Sequence, residues 1–121
     1  MTSDFKDLLA YQKGYDLAMQ IFQVSKSFPK EERYSLTDQI RRSSRSVCAQ
    51  IAEGYRKRRY PKHFISKLSD ADSENAETNV WLDFSLSCKY LNKNEHAQLI
   101  TLCQEVGKLL GYMINNPDRF R

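Results

Sequence analysis

Apolar residues along this chain recur every three or four positions, in four blocks separated by short polar breaks. In the first block Leu8, Tyr11, Tyr15, Ala18 and Phe22 form one stripe, and Leu17, Ile21, Val24 and Phe28 form a second beside it. Two such stripes predict a helix with a wide apolar face over about residues 4–27. Phe28-Pro29 ends it, because the residue before a proline is pushed out of the helical region, and KEERYS forms a polar connection. Ser35 takes the N-cap position of a second helix, with Asp38 three residues on in an arrangement close to a capping box. The stripe Leu36, Ile40, Ser43, Val47 and Ile51 carries this helix over about residues 35–58.

Pro61 suits the first turn of a third helix, over about residues 61–91, because it needs no backbone donor there. Phe64, Leu68, Ala71, Asn75, Thr78, Leu82 and Leu86 trace its inward side, and Asp70, Glu74 and Glu77 make an acidic stripe ending at Trp81. NKNEH turns the chain into a last helix, about residues 94–115, whose seam is Leu99, Cys103, Val106, Leu110 and Met113. Gly107 and Gly111 lie in that helix, where each costs about 1 kcal/mol relative to alanine unless a neighbouring backbone comes close. Four long amphipathic helices joined by short turns specify an all-α, antiparallel up-and-down four-helix bundle, and no strand pattern competes.

Length agrees with a single domain over residues 1–121, large enough to enclose one core. No apolar run approaches the roughly 20 residues of a membrane span. The amino terminus, MTSDFKDLL, is acidic and amphipathic where a signal peptide is basic and then apolar. A cytoplasmic protein with no membrane partner is expected. Cys48, Cys88 and Cys103 form no CxxC pair and are odd in number, which reads as reduced thiols.

Charge changes the picture more than composition does. The net charge is +4, but Arg41 to His63 holds eight bases against Glu53 alone, giving +7, and the remaining eleven bases and fourteen acids give −3. The cations are Arg41, Arg42, Arg45, Arg56, Lys57, Arg58, Arg59 and Lys62, a concentration that attracts polyanions. Arg56 to Arg59 has two readings. A solvated helix end opposing the helix dipole accounts for one or two charges. Phosphate contact accounts for the rest, with Tyr55 and Tyr60 available to stack on exposed bases. Arg41, Arg45 and Arg56 fall on the side of the second helix away from its core stripe, with Arg42 at the edge. Arg41, Arg42 and Arg45 too have two readings: contact with RNA, or pairing with Glu53, Asp70, Glu74 or Glu77 within or between bundles. A basic face and an acidic face on different sides of one subunit complement each other head to tail, and such contacts close into rings. Gly54 either ends the second helix or marks a close approach to another helix or subunit.

Catalytic chemistry finds little support. A di-metal bundle needs Glu-x-x-His pairs, and neither His63 nor His96 has a glutamate three positions before it. The chain has no Gly-rich phosphate loop, GxSxG or HExxH, so no enzyme, cofactor or metal site is expected. A structural ion pair is the simpler reading of Glu53, and a satisfied core amide that of Asn75 and Asn79.

The segments FP at Phe28-Pro29, ERYSL and QIRRSSRSVCAQIAEGYRKR resemble the bacterial four-helix-bundle family of 23S rRNA intervening-sequence proteins, whose usual run reads FP..E.YGL..Q.RRA..S...NIAEG. Phe5, Leu8, Arg41-Arg42, Ser46 and Ile51-Ala52-Glu53-Gly54 fall in register, and LSDADSENAETNVWLDFSLSCKYL is similar to one branch of the family. The chain departs from the pattern at Ser35, Tyr11 and Gln50, where the family often has glycine, tryptophan and asparagine. Bundles of this kind also serve as accessory proteins of diversity-generating retroelements, which form pentameric rings, bind nucleic acid and contact a reverse transcriptase. The resemblance therefore implies a homo-oligomer, a pentamer, with RNA or DNA and a reverse transcriptase as partners. Arg42, Glu53, Glu74, Glu77, Gly107 and Gly111 are the expected subunit interface. The alternative is an adaptor ring with no nucleic-acid affinity of its own.

Overall fold

The computed structural model describes residues 4–121, so residues 1–3 of the expected domain lie outside the described residues. Four helices carry the fold: α1 (Leu9–Ser25), α2 (Leu36–Arg56), α3 (Pro61–Ser87) and α4 (Lys93–Asn115), with short 3-10 turns at Phe5–Asp7, Lys30–Glu32 and Pro117–Phe120. No strand occurs among the described residues. α2 packs on α1 and most extensively on α3, and α4 closes the bundle against α1 and α3, which leaves α1 and α3 diagonally opposed.

The expected helix boundaries hold to within a few residues except at the start of α1 and the end of α3. Asp4 accepts from the Lys6 N–H and, with Asp7, forms a capping box on the first 3-10 turn, so α1 itself begins at Leu9. α3 stops at Ser87, four residues early, because Lys89 takes a left-handed conformation (φ 65°) and turns the chain toward α4. α4 starts with a full capping box in which Asn92 and Glu95 exchange hydrogen bonds.

Ser35 occupies the N-cap of α2 but does not cap it. Its hydroxyl donates instead to Glu32, and the same carboxylate accepts from the Leu36 N–H at 3.3 Å. Tyr90 donates to the other oxygen of Glu32 at 2.9 Å, so one acid joins the start of α2 to the end of α3. These bonds hold the Glu32 carboxyl below its ordinary range, the Ser35 hydroxyl contributing most, and the reciprocal bond raises the Tyr90 phenol to about 12.

The core has two parts. Near the α2–α3 turn, Ala10, Val47, Ile51, Tyr55, Phe64, Leu68, Ala71, Val106, Leu110 and Met113 pack together, and at the other end Leu17, Ile21, Phe28, Leu36, Ile40, Leu82, Leu91, Leu99 and Cys103 do the same. Each fully buried large side chain contributes about 1.5–3 kcal/mol. Polar contacts lie between the clusters. Ser43 Oγ and Thr78 Oγ1 are 2.8 Å apart, Asn75 Nδ2 donates to the Cys103 carbonyl at 2.9 Å, and Cys103 Sγ approaches Asn75 Oδ1 at 3.4 Å. Asn75 is thus the satisfied core amide that was expected.

α1 buries the second of its two expected stripes at Leu17 and Ile21, while in the first only Ala18 is fully buried. Ala10, Gly14, Leu17, Ala18 and Ile21 point inward, and Tyr15 and Met19 remain exposed. A Cβ at Gly14 would sit 3.4 Å from Cys48 Sγ, so α1 approaches α2 closely through its small residues.

Candidate nucleic-acid interface

The turn between α2 and α3 is fixed by backbone bonds. Lys57 N–H donates to the Gly54 carbonyl at 2.9 Å, Arg58 N–H to Tyr55 at 3.2 Å, and Tyr60 N–H to Lys57 at 2.8 Å. Pro61 then opens α3. Gly54 lies inside α2 with no left-handed backbone, so it does not end the helix. Its role is close approach: a Cβ there would stand 3.1 Å from Lys67 Cβ and 3.4 Å from Leu68 Cδ2. The basic run is therefore set on two helices clamped together at their junction.

Arg58 follows the helix-end reading. Its Nη1 donates to the Tyr55 carbonyl at 3.0 Å, and its guanidinium lies 4.1 Å from the centre of the Tyr55 ring. Arg56, Lys57, Arg59 and Lys62 are exposed, and none of the five cations has an ion-pair partner among the described residues. Arg56, Arg58, Arg59, Tyr60 and Pro61 line a cleft of about 620 Å³, and Arg121 from the carboxyl-terminal segment completes it. Arg121 is not among the cations that the sequence singles out. Phe120 was the available signal: it packs 6.1 Å from Phe64 and 6.2 Å from Tyr112, ring centre to ring centre, and this seats the segment on the bundle.

Of the two tyrosines expected to meet bases, only Tyr60 is placed to do so, with 55% of its surface exposed and its ring edge-on to His63. Tyr55 corrects the expectation. It is 7% exposed, part of the core, with Arg58 against its ring.

The helix-two arginines do not extend this site. Arg41 and Arg45 lie about 16–22 Å along the helix axis from Arg56 at 1.5 Å per residue. Arg41 is half-buried rather than fully outward, its Nε donating to Ser25 Oγ at 2.8 Å and its guanidinium 4.9 Å from the Phe22 ring, with Arg45 5.7 Å from the same ring. Arg42 pairs within its own chain, with Glu74 at 3.2 Å and with Glu77. Partial desolvation opposes its charge, but the bonds to Glu77 and the attraction of both acids outweigh this and raise its pKa. Glu53 pairs with Lys67 at 3.2 Å. Most of the expected subunit interface is thus occupied inside one bundle. Gly107 faces Asn75 of the same chain at 3.4 Å, and among the described residues no neighbour outside its own turn lies within 4 Å of a Cβ at Gly111.

Exposed apolar surface lies elsewhere. A groove between α1 and α2 is lined by Tyr11, Tyr15, Ala18, Met19 and Cys48, with Arg45 on its edge. A second, between α2 and α3, is lined by Leu36, Gln39, Trp81, Phe84 and Cys88. The Trp81 indole N–H is buried without a hydrogen-bond partner. Burial pushes the Cys48 and Cys103 thiols up to about 11, and Cys88 is exposed. The described residues contain no cluster of acids, histidines and cysteines able to hold a metal ion, and no helix long and apolar enough to cross a membrane.

An all-α four-helix bundle with one cationic end is the class these features define. The chain belongs to the 23S rRNA-intervening sequence protein family, whose model matches residues 6–112. It is also similar to a crystal structure from Bacteroides thetaiotaomicron VPI-5482, described as a protein with unknown function from the S23 ribosomal protein family. That likeness has a TM-score of 0.82 at 28% identity and covers 91% of this chain and 98% of the other. No curated protein matches the chain.

Proposed function

We propose that this protein is a non-enzymatic, nucleic-acid-associated bundle that grips RNA phosphates at the α2–α3 corner and works as a homo-oligomer. The carrying observation is the cleft at that corner, where Arg56, Arg58, Arg59 and Arg121 gather and only Arg121 has a carboxylate partner, Asp118 at 2.6 Å. Unpaired guanidinium forks match phosphate oxygens in geometry and in charge. Contacts of this type bind by charge and shape and carry no base code.

The test is the salt dependence of binding to a structured RNA. Affinity falls by about 0.9 log units per log unit of salt for each duplex phosphate neutralised. Replacing Arg56, Lys57, Arg58 and Arg59 with glutamine flattens that slope and leaves the assembly mass unchanged. An unchanged slope removes the corner from the binding surface.

Assembly uses the apolar faces in this reading, not the paired charges. Tyr15 and Met19 on α1 and Val80 and Phe84 on α3 are exposed on diagonally opposed helices, an arrangement that suits head-to-tail contact closing into a ring. Five subunits is the count the family resemblance supplies, together with the link to retroelement accessory proteins. The same apolar surfaces and the unpartnered Trp81 N–H support a second reading, an adaptor whose partner is a protein such as a reverse transcriptase. That reading expects no RNA binding at physiological salt.

A further inference from the structure

The shape of the corner says more than its charge. A surface that follows a duplex presents cations along a strip tens of ångströms long, whereas Arg56, Arg58 and Arg59, which have no ion-pair partner among the described residues, line one cleft at the α2–α3 corner. Arg42 and Arg41 are engaged by Glu74, Glu77 and Ser25. Glu53 and Lys67 form a neutral pair between the arginines of mid-helix and those of the corner. What remains is a concave site of about 620 Å³ at the corner, roomy enough for a nucleotide end.

Three features converge there. The guanidinium of Arg58 is preset by the Tyr55 carbonyl and ring, so it loses little freedom on meeting an anion. Pro61, the first residue of α3, stands in the cleft wall, and no side chain caps that helix. Tyr60 stands exposed in the wall beside them, its ring edge-on to His63.

We infer that this cleft receives the terminal phosphate of a nucleic-acid strand, with Tyr60 stacking on the end base; the inference rests on the nucleic-acid reading of the corner proposed above. A terminal phosphate monoester carries close to two negative charges near neutral pH and three free acceptor oxygens. An internal phosphodiester carries one charge and two free oxygens, and it is flanked by sugars on both sides. Several guanidiniums around one hollow match the former. Arg121 closes the hollow from the carboxyl-terminal turn, which is held by the packing of Phe120 on Phe64.

The experiment is fluorescence anisotropy with one single-stranded oligonucleotide in three forms: 5′-phosphorylated, 3′-phosphorylated, and with hydroxyls at both ends. A phosphorylated form binds about tenfold tighter than the hydroxyl form, the equivalent of one charge-assisted hydrogen bond. Whichever end gives the gain identifies the end that enters. Arg121→Gln and, separately, Arg58→Gln bring the ratio towards one, and circular dichroism verifies that each variant is folded. Equal binding of all three forms by the wild-type protein overturns end recognition and leaves the proposed function standing, as does a ratio that survives both substitutions. Absence of binding to any form overturns end recognition, and absence of binding to the structured RNA as well overturns both.

Discussion

Arg42 of α2 is bound to Glu74 and Glu77 of α3 in the same chain, one guanidinium bridging two acids one helical turn apart. Two of the three acids of the stripe, Glu74 and Glu77, are therefore answered within the subunit. Arg42→Ala or Glu77→Gln is expected to lower stability by about 0.5–1 kcal/mol, since these side chains are still partly exposed. Assembly mass by light scattering stays the same. A change of mass on either substitution would return these charges to the subunit interface.

The glycines separate two kinds of position. Gly54→Ala gains about 1 kcal/mol of helix propensity but forces α2 and α3 apart, because Lys67 Cβ at 3.1 Å cannot swing aside as a side-chain tip would. A net loss of about 1 kcal/mol is expected, read by urea denaturation. Gly111→Ala meets no neighbour among the described residues and should gain about 0.5–1 kcal/mol. If Gly111→Ala dissociates the oligomer instead, that face of α4 is a subunit contact.

Tyr55 and Tyr60 are five residues apart and have opposite roles. Tyr55→Ala empties a core site and costs about 3–5 kcal/mol of stability, in line with other buried aromatic truncations. Tyr60→Ala leaves the melting temperature nearly unchanged and weakens binding to a single strand by about 1–3 kcal/mol. Equal loss of stability in both variants would contradict this division.

Glu32 and Tyr90 give the fold a dependence on pH at both extremes. The Glu32 carboxyl is held below its ordinary 4.5 by the Ser35 and Tyr90 hydroxyls, so its contribution is present above that value and lost as pH falls through the lowered one. The Tyr90 phenol is raised from 10.0 to about 12, so its contribution is present below 10.0 and is lost as pH climbs toward 12. Melting temperatures of Glu32→Gln should vary less on the acid side than those of wild type, and those of Tyr90→Phe less on the alkaline side. Identical pH profiles would remove the clamp from the stability of the fold.

The three thiols should divide by rate. At about pH 8 a thiol reagent reaches Cys88 quickly, while Cys48 and Cys103, buried and largely protonated, react only as the bundle opens. Mass spectrometry after a short pulse finds one adduct per chain.

Periodicity made the four helices and most of the core readable, because burying one face of each helix leaves a repeat of three and four. It overstated one stripe of α1, that of Leu8, Tyr11, Tyr15, Ala18 and Phe22, of which only Ala18 is fully buried. Packing distance decided otherwise: Gly14 and Ala18 allow α1 to approach Cys48 and Val47, and Tyr15 is turned out. The cap of α2 was missed because it comes from Glu32, upstream of the position that a local cap would use. At the corner the cation run was visible as charge, but which members were free was not. The bond of Arg58 to Tyr55, the pairing of Arg42 and the arrival of Arg121 all depend on contacts that spacing along the chain does not encode.

The hydroxyls of Ser43 and Thr78, with Asn75 and Cys103 beside them, divide the interior into an upper and a lower apolar chamber. Sliding α2 along α3 by one turn, about 5.4 Å, would break the bond between the two hydroxyls and leave each only its contact within its own helix, Ser43 with the Ile40 carbonyl and Thr78 with that of Glu74. Apolar contacts alone would tolerate such a slip far better, because one leucine replaces another at little loss. The polar belt therefore acts as an alignment key, and it keeps the last turn of α2 level with the first turn of α3 however the helix ends are loaded.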